Sequence, residues 1–313
     1  MHRTHPYDAL TPDLVLDAVE AAGHAVDGRL APLNSFENRV YQVGIDGGRF
    51  VIAKFYRPQR WSDAQILDEH RYTIELAAAE LPVVAPWSTD GRSLLDHAGF
   101  RYALYPRVGG RPPELEGSEH AAWMGRLIGR MHAIGRRARY AARPALDPRP
   151  MLAHAVAAVF ASPLLPRETR GHYQRAIDRA TPWLFARFDA VGAASLRLHG
   201  DCHPGNVLWN DSGPLLVDFD DARSGPAVQD LWMLMHDDPR QREALVEGYT
   251  EFCDFDMGEL DLIPALRLLR QIHYAGWIAE RWDDPAFPRA FPWAAEARWW
   301  AEHVADLHSA LDD

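Results

Sequence analysis

Apolar residues follow two rhythms along the chain: strand-like alternation dominates before residue 106, and helical spacing dominates after it. Thr11, Pro12 and Asp13 open a short helix that Gly23 ends. The hydroxyl suits the cap, and the proline sits in the first turn, where its missing N–H costs nothing. The runs RVYQVGI and RFVIAKFY are rich in β-formers and are separated by Asp46, Gly47 and Gly48. Two glycines able to take positive φ make that junction a hairpin turn. Ser62 and Gln65 have capping-box spacing ahead of Ile66 and Leu67, which predicts a helix to about Glu80 with Pro82 as the stop. A second hairpin is expected from Ser93 to Tyr105, turning at Asp96 to Gly99.

The segment PRVGGRPPELEG, which follows Tyr105, has the proline and glycine content of a connector. A boundary there divides the chain into an N-terminal lobe, 1–106, and a C-terminal lobe, 107–313. Downstream, SEHAAWMGRLIGRMHAIG places Trp123, Leu127, Met131 and Ile134 on one helical face. Residues 196–218 break the helical theme, because LRLH, NVLW and LLVD are short apolar runs interrupted by HGDCHPG and DSGP. They read as a β-loop-β insertion among helices. The tail returns to helical spacing in ALRLLRQIHYAGWIAERW and then becomes aromatic-rich. The expected fold is α+β and bilobal, a small β-rich lobe and a larger helical one, with ligands bound in the cleft where the lobes meet.

Composition narrows the partners. Apolar residues are 47% and charged residues 25%, a balance that excludes global disorder. The net charge of -11 opposes a phosphate backbone, so nucleic acid is not expected as the main partner and an anionic ligand needs a local basic site. Cys202 and Cys253 are the only cysteines, too few for a disulfide framework or a four-cysteine zinc site. The first residues carry no apolar signal region, and no apolar run approaches the roughly 18 residues of a membrane span. A cytoplasmic monomer without membrane association is therefore expected.

Against this background four polar features stand in apolar or loop settings. Alternation along RFVIAKFY puts Phe50, Ile52 and Lys54 on one face, so the lysine shares its side of the strand with apolar groups. A lone lysine there also fits an edge strand whose ammonium reaches water. Glu69 falls inside the apolar arc of its helix, between Leu76 and Ile66, whereas Asp68 falls on the wet side beside Glu75 and Arg71. A buried carboxylate needs a partner, and Lys54 is the nearest candidate.

The loop from His199 to Asn206, HGDCHPGN, has the spacing H-x-D-x-x-x-x-N. In phosphoryl transfer that Asp accepts a hydroxyl proton and that Asn holds a metal, and Pro204 and Gly205 would turn the chain so that both converge. A zinc or dimetal site is the competing reading, since His199, Asp201, Cys202 and His203 are all ligand types, but no remote H-E-x-x-H or C-x-x-C completes it. Asp218 closes the apolar run Pro214, Leu215, Leu216, Val217 within LLVDFDD, where kinases place a magnesium ligand. The residues are D-F-D rather than D-F-G, which suggests a less mobile segment. Asp220 and Asp221 fit either a metal shell or salt bridges, with Arg223 as a partner. No G-x-G-x-x-G is present; LNSFENRVY stands in its place, where Asn34, Ser35, Asn38 and backbone amides could contact phosphates and Phe36 could cover them.

HGDCHPGN together with LLVDFDD resembles the aminoglycoside phosphotransferase and choline kinase-like superfamily. More narrowly, LNSFENRVYQV, FYRPQRW, LRLHGDCHPGNVLW, DDARSGPAVQDLWML and DPAFPRAFPW are similar to bacterial Ser/Thr protein kinases within it. The resemblance covers nearly the whole chain and implies a protein-kinase-like fold and a role in stress response. It also implies Mg2+ with ATP as phosphoryl donor, and protein acceptors that include the chain itself. Asp201 becomes the proton acceptor and, with Asp218, the catalytic pair. Asn206 and Asp218 become metal ligands, and Ser35, Phe36, Lys54 and Glu69 the nucleotide site. Phe36 stands where the family usually has Tyr, which removes a hydroxyl and leaves any phosphate role there to backbone groups. His199 is expected to orient the loop, His203 to lie near the acceptor, and Cys202 to pack. Two other readings stay open: a small-molecule kinase for an amino alcohol, sugar or antibiotic, and a nucleotide-binding pseudokinase.

Overall fold

A computed structural model describes residues 5–115 and 117–312; the first four residues, position 116 of the connector and residue 313 lie outside them. The first helix, α1 (Pro12–Ala21), is capped by the Thr11 hydroxyl, which accepts from the Leu14 N–H. Strands β1 (Val26–Pro32), β2 (Arg39–Ile45) and β3 (Arg49–Phe55) follow, then α2 (Asp63–Ala78), β4 (Leu95–His97) and β5 (Phe100–Pro106). The expected turn after β2 forms, with φ of 78° at Gly47 and 72° at Gly48. The capping box is complete, since the Ser62 and Gln65 side chains each bond the other's backbone N–H. The five strands form one antiparallel sheet in the order β1-β2-β3-β5-β4, so Lys54 stands in the central strand, opposite Val40 and Ala103.

Helix α3 (Ser118–Gly135) comes next, then α4 (Pro148–Ala161) and α5 (Arg170–Val191). Short strands β6 (Leu196–Leu198), β7 (Val207–Asn210), β8 (Gly213–Leu216) and β9 (Arg223–Gly225) precede α6 (Pro239–Thr250). Helices α7 (Ile263–Glu280), α8 (Ala286–Ala290) and α9 (Ala297–Asp312) complete the order. The fold class is α+β, as expected. The chain forms two compact units: one holds the chain up to Ala145 with Ser195–Phe255, the other Leu146–Ala194 with the chain from Asp256 onward. Residue 106 lies inside the first unit, where the connector pairs with β7 through Arg111 and Trp209, each N–H donating to the other's carbonyl. Among the described residues no helix is long and apolar enough to cross a membrane.

In the first unit, one core lies under the sheet, where α1 contributes Val15, Ala18 and Val19 against Val43, Val51 and Phe55. Another joins Tyr72 and Leu76 of α2 to Met124, Ile128 and Met131 of α3 and to Leu198, Leu216 and Phe219. Helices α3 and α6 approach closely, and a Cβ at Gly129 would lie 2.4 Å from the Tyr249 carbonyl oxygen. Trp123 departs from the expected stripe. It is 41% exposed and lies edge-on to Trp209, covering the β7–β8 hairpin, while Ala121, Met124 and Ile128 take the buried face. The second unit has its own core, with Leu152, Val159, Tyr173, Leu184, Leu268, Ile272, Trp300 and Leu307.

Two buried histidines predict a pH dependence. Burial lowers the pKa of His70 and of His303 from 6.5 to about 4. His70 lies between Tyr56 Oη at 2.7 Å and Ser93 Oγ at 2.9 Å, partners that a neutral ring satisfies. Between pH 6.5 and 4 the unfolded chain binds these protons and the folded chain does not, so stability falls as pH falls through that window. The loss is on the order of 3 kcal/mol for each ring. Urea unfolding at stepped pH should show a smaller drop when both are replaced by Gln; an equal drop in the two proteins would contradict the assignment.

Candidate active site

Strand β6 delivers the chain into the loop His199 to Asn206, and a carboxylate outside the loop fixes its entry. Asp230 is wholly buried and accepts the His199 N–H at 2.7 Å on Oδ2 and the Gly200 N–H at 2.8 Å on Oδ1. Its Oδ2 also lies 3.0 Å from His132 Nε2 on α3, and His132 Nδ1 lies 3.0 Å from Tyr249 Oη on α6. Gly200 has φ of 87°, and a Cβ there would lie 2.1 Å from the Asp221 carbonyl oxygen, so no larger residue fits this bend. His199 orients the loop as expected: Nδ1 accepts from the Asp201 N–H at 3.4 Å, leaving Nε2 to donate to the Val217 carbonyl at 2.9 Å.

The loop then closes on itself. Pro204–Asn206 form a 3-10 turn, and Asn206 Nδ2 donates to the Asp201 carbonyl at 2.9 Å. His203 Nδ1 accepts from the Gly205 N–H, so Nε2 carries the ring hydrogen and faces Asp201 Oδ2 at 3.4 Å. The Asp201 side chain keeps 24% of its surface exposed, enough for a hydroxyl to reach it. Cys202 packs in the core, where burial and then the Asp230 and Asp201 carboxylates push its thiol pKa well up. Asp201 and His203 face each other, His199 turns to Val217 and Cys202 packs in the core, so among the described residues these side chains do not converge on one zinc-like centre.

Asn206 connects this loop to the next element, because its carbonyl accepts the Val217 N–H at 3.0 Å. One residue on, Asp218 takes φ of 59° and ψ of 68°, a left-handed conformation that costs a non-glycine residue about 1–2 kcal/mol. Its Oδ1 accepts from Lys54 Nζ at 2.9 Å. Lys54 is 6% exposed, so it is buried rather than extended into solvent from an edge strand. Burial alone would depress its ammonium, but the carboxylates of Asp218 and Glu69 outweigh that and hold its pKa above the ordinary lysine value.

Glu69 is buried on the inner arc of α2 as expected, but its ion pair is with Arg143, not Lys54: Nη2 lies 2.8 Å from Oε2, and both side chains are buried. Lys54 instead faces Asp218 and, at 3.3 Å, Asp220 Oδ1. Asp68 likewise departs from its expected wet position. It is 5% exposed because residues 142 and 143 cross the helix there and donate their N–H groups to its Oδ2. The same crossing brings in Arg143, whose Nη1 also donates to the Asp220 carbonyl at 2.6 Å. Asp221 pairs with Arg223 at 3.1 Å, and both Asp220 and Asp221 also meet Arg60.

The turn in LNSFENRVY is held from below. Ser35 Oγ donates to the Asn38 carbonyl at 3.3 Å, and the Phe36 carbonyl accepts from Arg39 and Arg57, each at 3.2 Å. Asn38 Oδ1 accepts the Arg57 N–H at 3.0 Å, and Arg57 Nε lies 2.9 Å from Glu37 Oε1. Both arginines come from or flank the hairpin of β2 and β3, so strand pairing sets the shape of the turn.

Asn206 and Asp218 offer a hard-oxygen donor set. With the Asn206 amide nitrogen committed to Asp201, its Oδ1 is the atom left to face a cation. Among the described residues no three His, Cys, Asp or Glu side chains converge as an all-protein metal cage. One carboxylate and one amide suit Mg2+, which keeps water and substrate phosphates as its other ligands. The donor set therefore fits that ion.

Residues 29–263 match the family described as Phosphotransferase enzyme family, APH. The chain belongs to that family. This phosphotransferase is 42% identical over 310 residues to stress response kinase A of Escherichia coli K12, covering 96% of this chain and 92% of the relative. It is 41% identical over 305 residues to the serine/threonine protein kinase RdoA of Salmonella typhimurium LT2, covering 94% and 90%. Among solved structures, the amicoumacin kinase hAmiN in complex with AMP-PNP, Ca2+ and Ami matches with a TM-score of 0.71 at 19% identity over 92% of each chain. A microcompartment-associated aminopropanol kinase matches with a TM-score of 0.68 at 19% identity over 94% of each. Those two likenesses establish the protein-kinase-like fold of this phosphotransferase.

Proposed function

We propose that the chain is an ATP- and Mg2+-dependent protein kinase acting on Ser and Thr hydroxyls, its own included, and that it works as a monomer. The observation that carries this reading is the connected set of Lys54, Asp218, Asn206 and Asp201. Lys54 bonds Asp218, and Asn206 bonds both Val217 and the backbone of Asp201. Protein acceptors are supported by 41% identity across 94% of the chain to a relative named as a serine/threonine protein kinase.

In this reading Asp201 aligns the acceptor hydroxyl and takes its proton as the phosphoryl group arrives. Lys54, fixed by Asp218, presents to the phosphate oxygens a charge that its burial leaves little screened by bulk water. The turn at Ser35 and Phe36 bounds the nucleotide, and Glu69 acts on Lys54 through the local field rather than by a direct bond. Asn206 Oδ1 and Asp218 would hold Mg2+, which supplies charge neutralisation on the phosphates when bound. Asp218→Asn should raise the Mg2+ concentration needed for nucleotide binding by ~10-fold or more, as expected for losing a charged contact of about 1.5–3 kcal/mol. Calorimetric titration of ATP at several Mg2+ concentrations measures this, and an unchanged Mg2+ requirement counts against the ligand role.

A small-molecule kinase is the second reading, favoured by the aminopropanol kinase likeness and by a net charge of -11 that suits a cationic acceptor. Incubation with labelled ATP, a protein acceptor and a panel of amino alcohols separates the two. Phosphoserine or phosphothreonine by mass spectrometry supports the protein kinase, and transfer to metabolites alone replaces it. The presence of Lys54, Asp201, Asn206 and Asp218 together weighs against a pseudokinase.

A further inference from the structure

Arg60, in the FYRPQRW segment after β3, lies among carboxylates from two separate parts of the chain. Its Nη2 is 2.8 Å from Asp221 Oδ1, its Nη1 bonds Asp220 Oδ2, and its Nε is 3.7 Å from Glu37 Oε1. Glu37 belongs to the turn at Ser35 and Phe36, and Asp220 and Asp221 lie two and three residues after Asp218. Asp220 is itself buried, and its second oxygen, Oδ1, has no hydrogen bond and faces Lys54 Nζ at 3.3 Å. One guanidinium thus ties the nucleotide-side turn to the segment of Asp218, and Asp220 passes that restraint to Lys54. The Arg60 side chain is 15% exposed, so these pairs are little screened by water.

We propose that Arg60 is a positioning residue of the phosphoryl-transfer site: it holds the Asp218–Asp221 segment against the Glu37 turn and shares the Asp220 carboxylate with Lys54, so that Lys54 is not its sole counter-charge. This rests on the nucleotide and metal reading given above. A left-handed backbone at a non-glycine residue persists only where the surroundings over-determine it. Three arginines do so here. Arg143 holds the Asp220 carbonyl, Arg223 bonds Asp221 two residues away, and Arg60 adds the link to the Glu37 turn. Without Arg60, one buried carboxylate loses its balancing charge, and the nearest cation left to it is Lys54, the group the phosphates need.

The effect should fall on nucleotide and metal, not on the acceptor. Binding of ATP with Mg2+ is measured by calorimetry on the whole chain for wild type, Arg60→Ala, Arg60→Lys, Asp220→Asn and the double variant, with acceptor KM measured alongside. Arg60→Ala should weaken binding about 10-fold with acceptor KM unchanged. Arg60→Lys should fall between, and the double variant should bind no worse than Arg60→Ala, because the carboxylate that Arg60 balances is gone. Added guanidinium should restore part of the affinity of Arg60→Ala. If folded Arg60→Ala binds as wild type does, or acceptor KM rises in step, Arg60 is structural only and the proposal is overturned while the site reading stands. If wild type binds no ATP with Mg2+, the site reading itself falls and takes this proposal with it. Should Arg60→Ala fail to fold, Arg60→Lys decides: wild-type affinity in that variant overturns the proposal, and weakened nucleotide binding at constant acceptor KM supports it.

Discussion

Asp201→Asn is expected to lower turnover by roughly 10² to 10⁴-fold while leaving ATP binding near the wild-type level, the usual loss when a general base is removed. The reason the two effects separate is local. The contacts that shape the loop use the Asp201 backbone, whose carbonyl accepts from Asn206 Nδ2 at 2.9 Å and from the His203 N–H at 3.0 Å. The substitution keeps both and changes the side chain alone, so the Asn206 and Asp218 oxygens stay in place. Initial rates at saturating ATP, set beside a direct ATP titration, make the comparison. Turnover at the wild-type rate would remove Asp201 from the chemistry, and a parallel loss of ATP binding would show that the loop had moved.

Asp230→Ala should cost about 3–5 kcal/mol of folding stability, a large part of the 5–15 kcal/mol that a protein of ordinary stability has. The carboxylate satisfies two buried backbone N–H groups, those of His199 and Gly200, and it faces His132 in the same water-free space. Truncation removes the acceptor of both N–H groups and the partner of His132 Nε2, leaving that ring only its Tyr249 contact. Urea unfolding followed by tryptophan fluorescence gives the number directly. A variant within about 0.5 kcal/mol of wild type, the range of an ordinary surface change, would mean the loop is held by other contacts. Because the same bonds set the bend at Gly200, whatever fraction remains folded should also turn over slowly.

Much of this was readable before any coordinates. Caps, glycine turns and the alternation around Lys54 predict α1, α2 and the central hairpin, because each depends on neighbours within a few residues. Strand β1 escaped because it is a solvated edge strand: Asp27, Gly28 and Arg29 interrupt its alternation, and the register shifts between Val26 and Leu30. Strand β9, three residues long, is set by its pairing with β6 and by a bridge from Ser224 to Ala145. At the site, the spacing of Asp201, Asn206 and Asp218 was legible because one loop and one strand end carry it. The partner of Glu69 was not, since Arg143 lies 74 residues away in a stretch with no periodic signal. Asp230 did offer a hint: a single carboxylate within AVQDLWML has to be buried with partners or turned out to water. No rule of spacing says that its partners are the backbone of the loop 30 residues earlier.

The interleaving of the two compact units bears on how the protein is made. Every residue of the first unit, with Lys54, Asp201 and Asp218 among them, has left the ribosome once Phe255 emerges. The second unit is then half synthesised: α4 and α5 exist, but α7 and α9, which complete their core, have yet to appear. During translation the nascent chain therefore holds all of the first unit while two helices of the second carry Leu152, Val159, Tyr173 and Leu184 without the helices that complete their core, a stage at which chaperone capture or aggregation competes with completion.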